Sequence, residues 1–195
     1  MRKYNGNVKN DIDVANSLGT MLIDTLNPML KSGCKVVHTE ILKESIAKML
    51  DVYSGIDAVL LSKSDMSGVA LRIQKHSNKN HKTFTIRYSR STGVETEYSK
   101  RKRQIYNGYP SFYPHYTCQV YYDDENKLLG GAFCKTKDLF DVAIKNEPLT
   151  RYGDVYIQVN TKDNNEFVVV PFSKIKRIVL IEPKDEPVKP SQIQQ

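Results

Sequence analysis

The hydrophobic period of this chain changes at Ser54-Gly55, and the change limits what it can fold into. Before it, Leu42, Ile46, Met49, Leu50 and Tyr53 follow helical spacing, with Thr39 placed to cap the helix and Ser54-Gly55 to stop it. After it, the pattern becomes β-like. Ile56–Leu61 reads as a short buried strand and residues 69–74 alternate, with a turn over residues 62–68 between them. Phe84, Ile86 and Tyr88 alternate with Thr85, Arg87 and Ser89. An earlier helix starts at a cap on Asp11 or Asp13 and runs to about Asn27, with Leu18, Leu22 and Leu26 on one face. Further strands are expected at Tyr116–Tyr122, Leu128–Cys134, Asp154–Val159, Glu166–Val170 and Arg177–Ile181. Asp123–Asn126 reads as a polar hairpin turn, and Thr136 is placed to cap a short helix through Asn146. Residues 94–106 fit a helix or a strand. This order implies an α/β or α+β fold, a mixed central β-sheet flanked by helices. Residues 1–181 are expected to form one globular domain, followed by a disordered Pro- and Lys-rich tail over residues 182–195.

Charge is as unevenly distributed as hydrophobicity. Residues 72–103 hold ten cations against Glu95 and Glu97, a net of +8 in a chain whose total is +7. Charge gathered in this way repels itself, and a polyanion relieves the repulsion. Nucleic acid is the commonest such partner, because neutralising phosphates releases condensed counterions. A solvated face with no ligand gives the same pattern. The hydrophobic and charged fractions, 39% and 26%, are those of an ordinary globular protein. No apolar run approaches the roughly 20 residues of a membrane span, and the N-terminal residues lack an apolar signal core. Cys34, Cys118 and Cys134 are scattered and form no C-x-x-C pair, which suits a reducing cytoplasm. The sequence has no Gly-rich phosphate-binding motif and no G-x-S-x-G.

A helix, then Gly55-Ile56-Asp57 opening a strand, then a turn and a second strand over residues 69–74 form a connected pattern. It resembles the core of the restriction-endonuclease-like, or PD-(D/E)XK, superfamily. The resemblance covers about residues 38–90, and residues 167–172 resemble a later strand of some members. In that family an Asp opens one hairpin strand. An acidic residue or Gln, and a Lys two positions on, stand on the next strand. Side chains two apart on a strand share a face. Val69, Leu71 and Ile73 therefore line one face, and Ala70, Arg72 and Gln74 the other. Arg72-x-Gln74 takes the place of the acid-x-Lys pair, with Lys75 directly after it.

The resemblance implies a Mg²⁺-dependent DNA nuclease with Asp57, Gln74 and Lys75 as its catalytic set. Asp57 would hold the metal, Gln74 would assist coordination, and Arg72 or Lys75 would stabilise developing phosphate charge. Arg72 at a family acidic position equally implies a nucleic-acid-binding protein that does not cleave. Arg72, Lys82, Arg87, Arg90, Lys100, Arg101, Lys102 and Arg103 are the candidates for backbone contacts. Glu95 and Glu97 share a face if their segment is a strand. Tyr109, Phe112 and Tyr113 offer a stacking surface beside the basic run, whereas Tyr116, Tyr121 and Tyr122 fit a β core. A third reading is a protein-interaction or inhibitor module whose basic face docks an acidic partner.

Overall fold

β-Branched and aromatic residues at alternate positions build most of this protein, seen here in a computed structural model. It describes residues 33–39, 54–63, 65–75, 79–90, 93–107, 113–161 and 163–183, together with Gly19, Leu22, Ile23, Asn27 and Leu50. The strands are β1 (Lys35–His38), β2 (Ala58–Leu61), β3 (Met66–Lys75), β4 (Thr83–Ser89), β5 (Tyr116–Tyr122), β6 (Leu128–Lys135), β7 (Tyr156–Val159), β8 (Glu166–Pro171) and β9 (Ile178–Ile181). Two helices, α1 (Glu97–Tyr106) and α2 (Thr136–Lys145), follow β4 and β6. Most of the first two expected helices, and the expected tail from residue 184, lie outside the described residues.

Six strands form one mixed sheet in the order β1-β2-β3-β5-β6-β9. β3 and β5 run parallel, and every other neighbouring pair is antiparallel. The connection from β3 to β5 carries β4 and α1. β4 leaves the main sheet and joins β8 and β7 in a second, antiparallel sheet of three strands. The mixed α/β class expected from the sequence is therefore observed.

Strand alternation divides the core between the two faces of the large sheet. Val69, Cys118, Val120, Tyr122 and Phe133 share one cluster with Leu22 and Ile23. Tyr121, Ala132 and Cys134 point the other way, against Phe84, Ile86, Val168 and Val170 of the small sheet and Leu139 and Phe140 of α2. Tyr121 and Tyr122 are each 1% exposed, so both belong to the packed interior rather than to a binding surface.

β4 is an edge strand of the small sheet, and its outward N–H groups are satisfied by side chains. Thr85 N donates to Gln119 Oε1 (2.9 Å) and Arg87 N donates to Glu97 Oε2 (3.3 Å). Gln119 is completely buried and also donates to the Tyr121 hydroxyl (3.3 Å), which donates to the Thr83 carbonyl (2.7 Å). This polar link ties the two sheets together.

Several expectations are corrected in detail. β1 was not expected; it pairs with β2, and the Asn27 side chain exchanges two hydrogen bonds with the Val36 backbone along it. Residues 62–68 do not form a long turn, because β3 already begins at Met66. Thr136 does not cap α2 but is its first helical residue, with its hydroxyl bonded to that of Thr117 (2.9 Å). Residues 97–106 form a helix, so Glu95 and Glu97 do not share a strand face. Thr96 caps that helix, accepting from Ser99 N (3.4 Å), with Glu97 in the first turn and Arg103 in the last.

Gln119→Leu is expected to leave Thr85 N–H buried without a partner. It should lower stability by about 1–3 kcal/mol, read as a lower denaturant midpoint. At the seam between the helices, Glu147 accepts from Lys102 Nζ (2.6 Å) and from the Tyr98 hydroxyl (2.7 Å). These bonds hold the Glu147 carboxyl below the usual glutamate value. Its contribution is thus complete above that value and lost as pH falls through the lowered one. In thermal melts, Glu147→Gln should be less stable than the parent at neutral pH, with the gap closing on acidification.

Candidate functional site

Gly55 and Asp57 form the mouth of the β2–β3 hairpin, and a buried arginine holds them there. Arg101 is 4% exposed. Its guanidinium donates to the Ser54 carbonyl, to the Gly55 carbonyl (3.3 Å) and to Gln104 Oε1 (2.5 Å). Gly55 has φ +63°, and a Cβ there would lie 2.5 Å from Arg101 Nη2. Only glycine satisfies both constraints. Burial pulls the Arg101 pKa down to about 10, with the nearby Asp57 acting in the opposite direction. The group stays charged at neutral pH.

Asp57 is fixed at three points. Its N–H donates to the Val69 carbonyl (2.9 Å) and its carbonyl accepts from Thr39 N (3.1 Å) and Thr39 Oγ1 (2.9 Å). Its carboxylate Oδ2 accepts from Leu71 N (2.7 Å). β2 begins one residue later, so this carboxylate takes up the N–H that the end of β2 leaves over on β3.

The hairpin mouth opens into a cleft of ≈ 570 Å³ between β3, β4 and the start of α1. Arg72 comes from β3, Arg87 and Arg90 from β4 and its end, and Lys100 and Arg101 from α1. Glu95 and Glu97 also border it. Glu97 pairs with Arg72, and Glu95 with Arg103 (3.0 Å). A quarter of the Arg72 side chain remains exposed. Burial, then the charge of Arg87, lower the Arg72 pKa to about 10. Burial and Arg90 lower that of Arg87, and burial and Arg101 lower that of Lys100. Arg87 Nε is buried with no hydrogen-bond partner among the described residues. The cleft thus concentrates cations that disfavour one another, and one of their donors is unused.

The basic run does not act as a unit. Successive residues on a helix turn by about 100°, so Lys100 reaches the cleft, Arg101 goes under Gly55 and Lys102 reaches Glu147. Lys82 borders a separate hollow beside Phe172 and Ile178. Gln74 and Lys75 line a second cleft of ≈ 740 Å³ farther along β3. Gln74 stands three residues beyond Leu71, roughly 10 Å along the strand, so it and Lys75 are not gathered around Asp57. The β3 side chains flanking the Asp57 carboxylate are Ala70 and Arg72. Tyr109 and Phe112 lie outside the described residues, and Tyr113 stacks on His115 (centroids 4.9 Å apart).

This donor set does not suit Mg²⁺, which prefers one or more free carboxylates and water. Asp57 is engaged by a backbone N–H and faces two guanidinium groups, while Ala70 offers no oxygen. No group of three metal-binding side chains occurs among the described residues. Arg72, Arg87 and Lys100, grouped above as candidates for backbone contacts, are brought together by the crossover from β3 through β4 to α1.

Gly55→Ala is expected to cost about 1–2 kcal/mol from the left-handed backbone alone, with the Arg101 clash in addition. Arg101→Ala should cost about 1–3 kcal/mol by leaving carbonyls unpaired. The double variant should lose less than the sum in denaturant titrations, because the clash disappears with the guanidinium. Compared with protein-family models, with curated proteins and with solved structures, the chain matches none.

Proposed function

We propose that this protein binds the phosphodiester backbone of nucleic acid, DNA in the first instance, in the cleft beside Asp57. The scaffold is proposed to be related to the PD-(D/E)XK nucleases, with a hairpin opened by Gly55-Ile56-Asp57. The observation that carries the reading is the convergence of Arg72, Arg87, Arg90, Lys100 and Arg101 on one cleft. A phosphate would accept from the guanidinium and ammonium groups that line the cleft, and its charge would offset both the burial and the mutual repulsion that lower the pKa of Arg72 and Arg87. The N-terminal end of α1, which borders the same cleft, adds a favourable dipole.

The reading is of binding without hydrolysis. In the resemblance, a hairpin-opening Asp works with an acid and a Lys two apart on the next strand. The register beside Asp57 offers Ala70 and Arg72 for that pair. Arg72 can hold a phosphate but cannot share a metal with Asp57. Incubation with plasmid DNA and Mg²⁺ should give no cleavage that Asp57→Ala abolishes.

Binding should weaken with salt, with a log–log slope set by the number of phosphates neutralised. Neutral substitution of Arg72, Arg87 or Lys100 should each weaken binding and flatten the slope by about one unit. Lys102→Ala should leave it unchanged, because Lys102 is occupied with Glu147 away from the cleft. Fluorescence anisotropy with labelled oligonucleotides over a salt series measures both. A slope that responds to Lys102 but not to Arg72 or Arg87 overturns the assignment.

A further inference from the structure

The second cleft neighbours the first. Arg72 and Gln74 are two residues apart on β3, and Arg87 and Thr85 are two apart on β4; in each pair the first borders the arginine cleft and the second borders its neighbour. Both steps cover about 7 Å in the same direction. At the boundary, the Arg87 guanidinium lies over the Phe167 ring, 5.6 Å from its centroid, and Phe167 lines the second cleft. The two hollows lie next to each other along β3 and β4, one cationic and the other bordered by Phe167 and Tyr156.

We infer that this pair of clefts holds an unpaired nucleic-acid strand, with a phosphate among the arginines and the attached base in the second cleft against Phe167 and Tyr156. The inference rests on the nucleic-acid reading above and adds the class of strand. The volume of ≈ 740 Å³ is that of a small-molecule pocket. It admits a nucleobase but no duplex, and a base stacked within a duplex has no free face to offer. Phe167 and Tyr156 are both partly exposed and supply that face. The amides of Gln74 and Gln158 border the same space and carry both donors and acceptors for a base edge. Lys75 and Lys79, both exposed at the far end, continue the cationic track towards the next phosphate.

The test compares labelled oligonucleotides of one sequence: single-stranded DNA, the same strand as RNA, the DNA duplex, and an abasic DNA strand. The expected result is at least about tenfold tighter binding of a single strand than of the duplex, with the abasic strand weakened about 5- to 100-fold. Tyr156→Ala and the milder Phe167→Leu should weaken only the base-bearing single strands; circular dichroism checks their folding. Equal affinity for single strand and duplex, or for intact and abasic strands, overturns the inference and leaves the arginine cleft as a backbone site. No binding to any of the four overturns the nucleic-acid reading itself.

Discussion

The buried guanidinium of Arg101 is the contact on which the functional end of this protein depends. It joins a helix to the mouth of a hairpin through two carbonyls that no strand pairing satisfies. The other polar contacts of α1 are made at its two ends and flanks, by Glu97 with Arg72 and Arg87 N, by Tyr98 and Lys102 with Glu147, and by Tyr106 with Asp141; Arg101 alone reaches the hairpin mouth among the described residues. Burying a cation is costly, and here the cost is met by three hydrogen bonds and a nearby carboxylate. The same geometry forces glycine at position 55 and fixes how far Asp57 stands from the arginines around it.

The cleft balances attraction against repulsion. Glu97 pairs with Arg72 while also accepting from Arg87 N, so a single carboxylate holds β3, β4 and α1 at one spacing. Three acids, Asp57, Glu95 and Glu97, do not neutralise five cations. The residual positive field lies where hydrogen bonds and ion pairs already place the donors, so an anion entering there meets groups set in position.

Alternation made much of the fold legible. Buried Phe84 and Ile86 of β4, the apolar Val69-Leu71-Ile73 face of β3 and the Asp123 turn were all readable from residue order. β1 was not, because four residues between two helical patterns carry little signal until β2 lies beside them. Helix α1 was ambiguous because its buried stripe is Tyr98, Arg101 and Gln104, which does not look like a core. The site was misplaced by register. A turn only four residues long pairs Ala58 with Val69, and this brings Ala70 and Arg72, not Arg72 and Gln74, level with Asp57. Four consecutive basic residues looked like one patch, and helical rotation sent them to different places.

The parallel pairing of β3 with β5 joins Val69 to Tyr116, and the chain between them is the wall of the cleft. Such a pair needs a long connection and bears the entropy of closing it. The middle of the sheet and the arginine pocket are thus built from one stretch of chain. A ligand gripping that wall would therefore act as a brace on the whole molecule, resisting its opening far from where it sits.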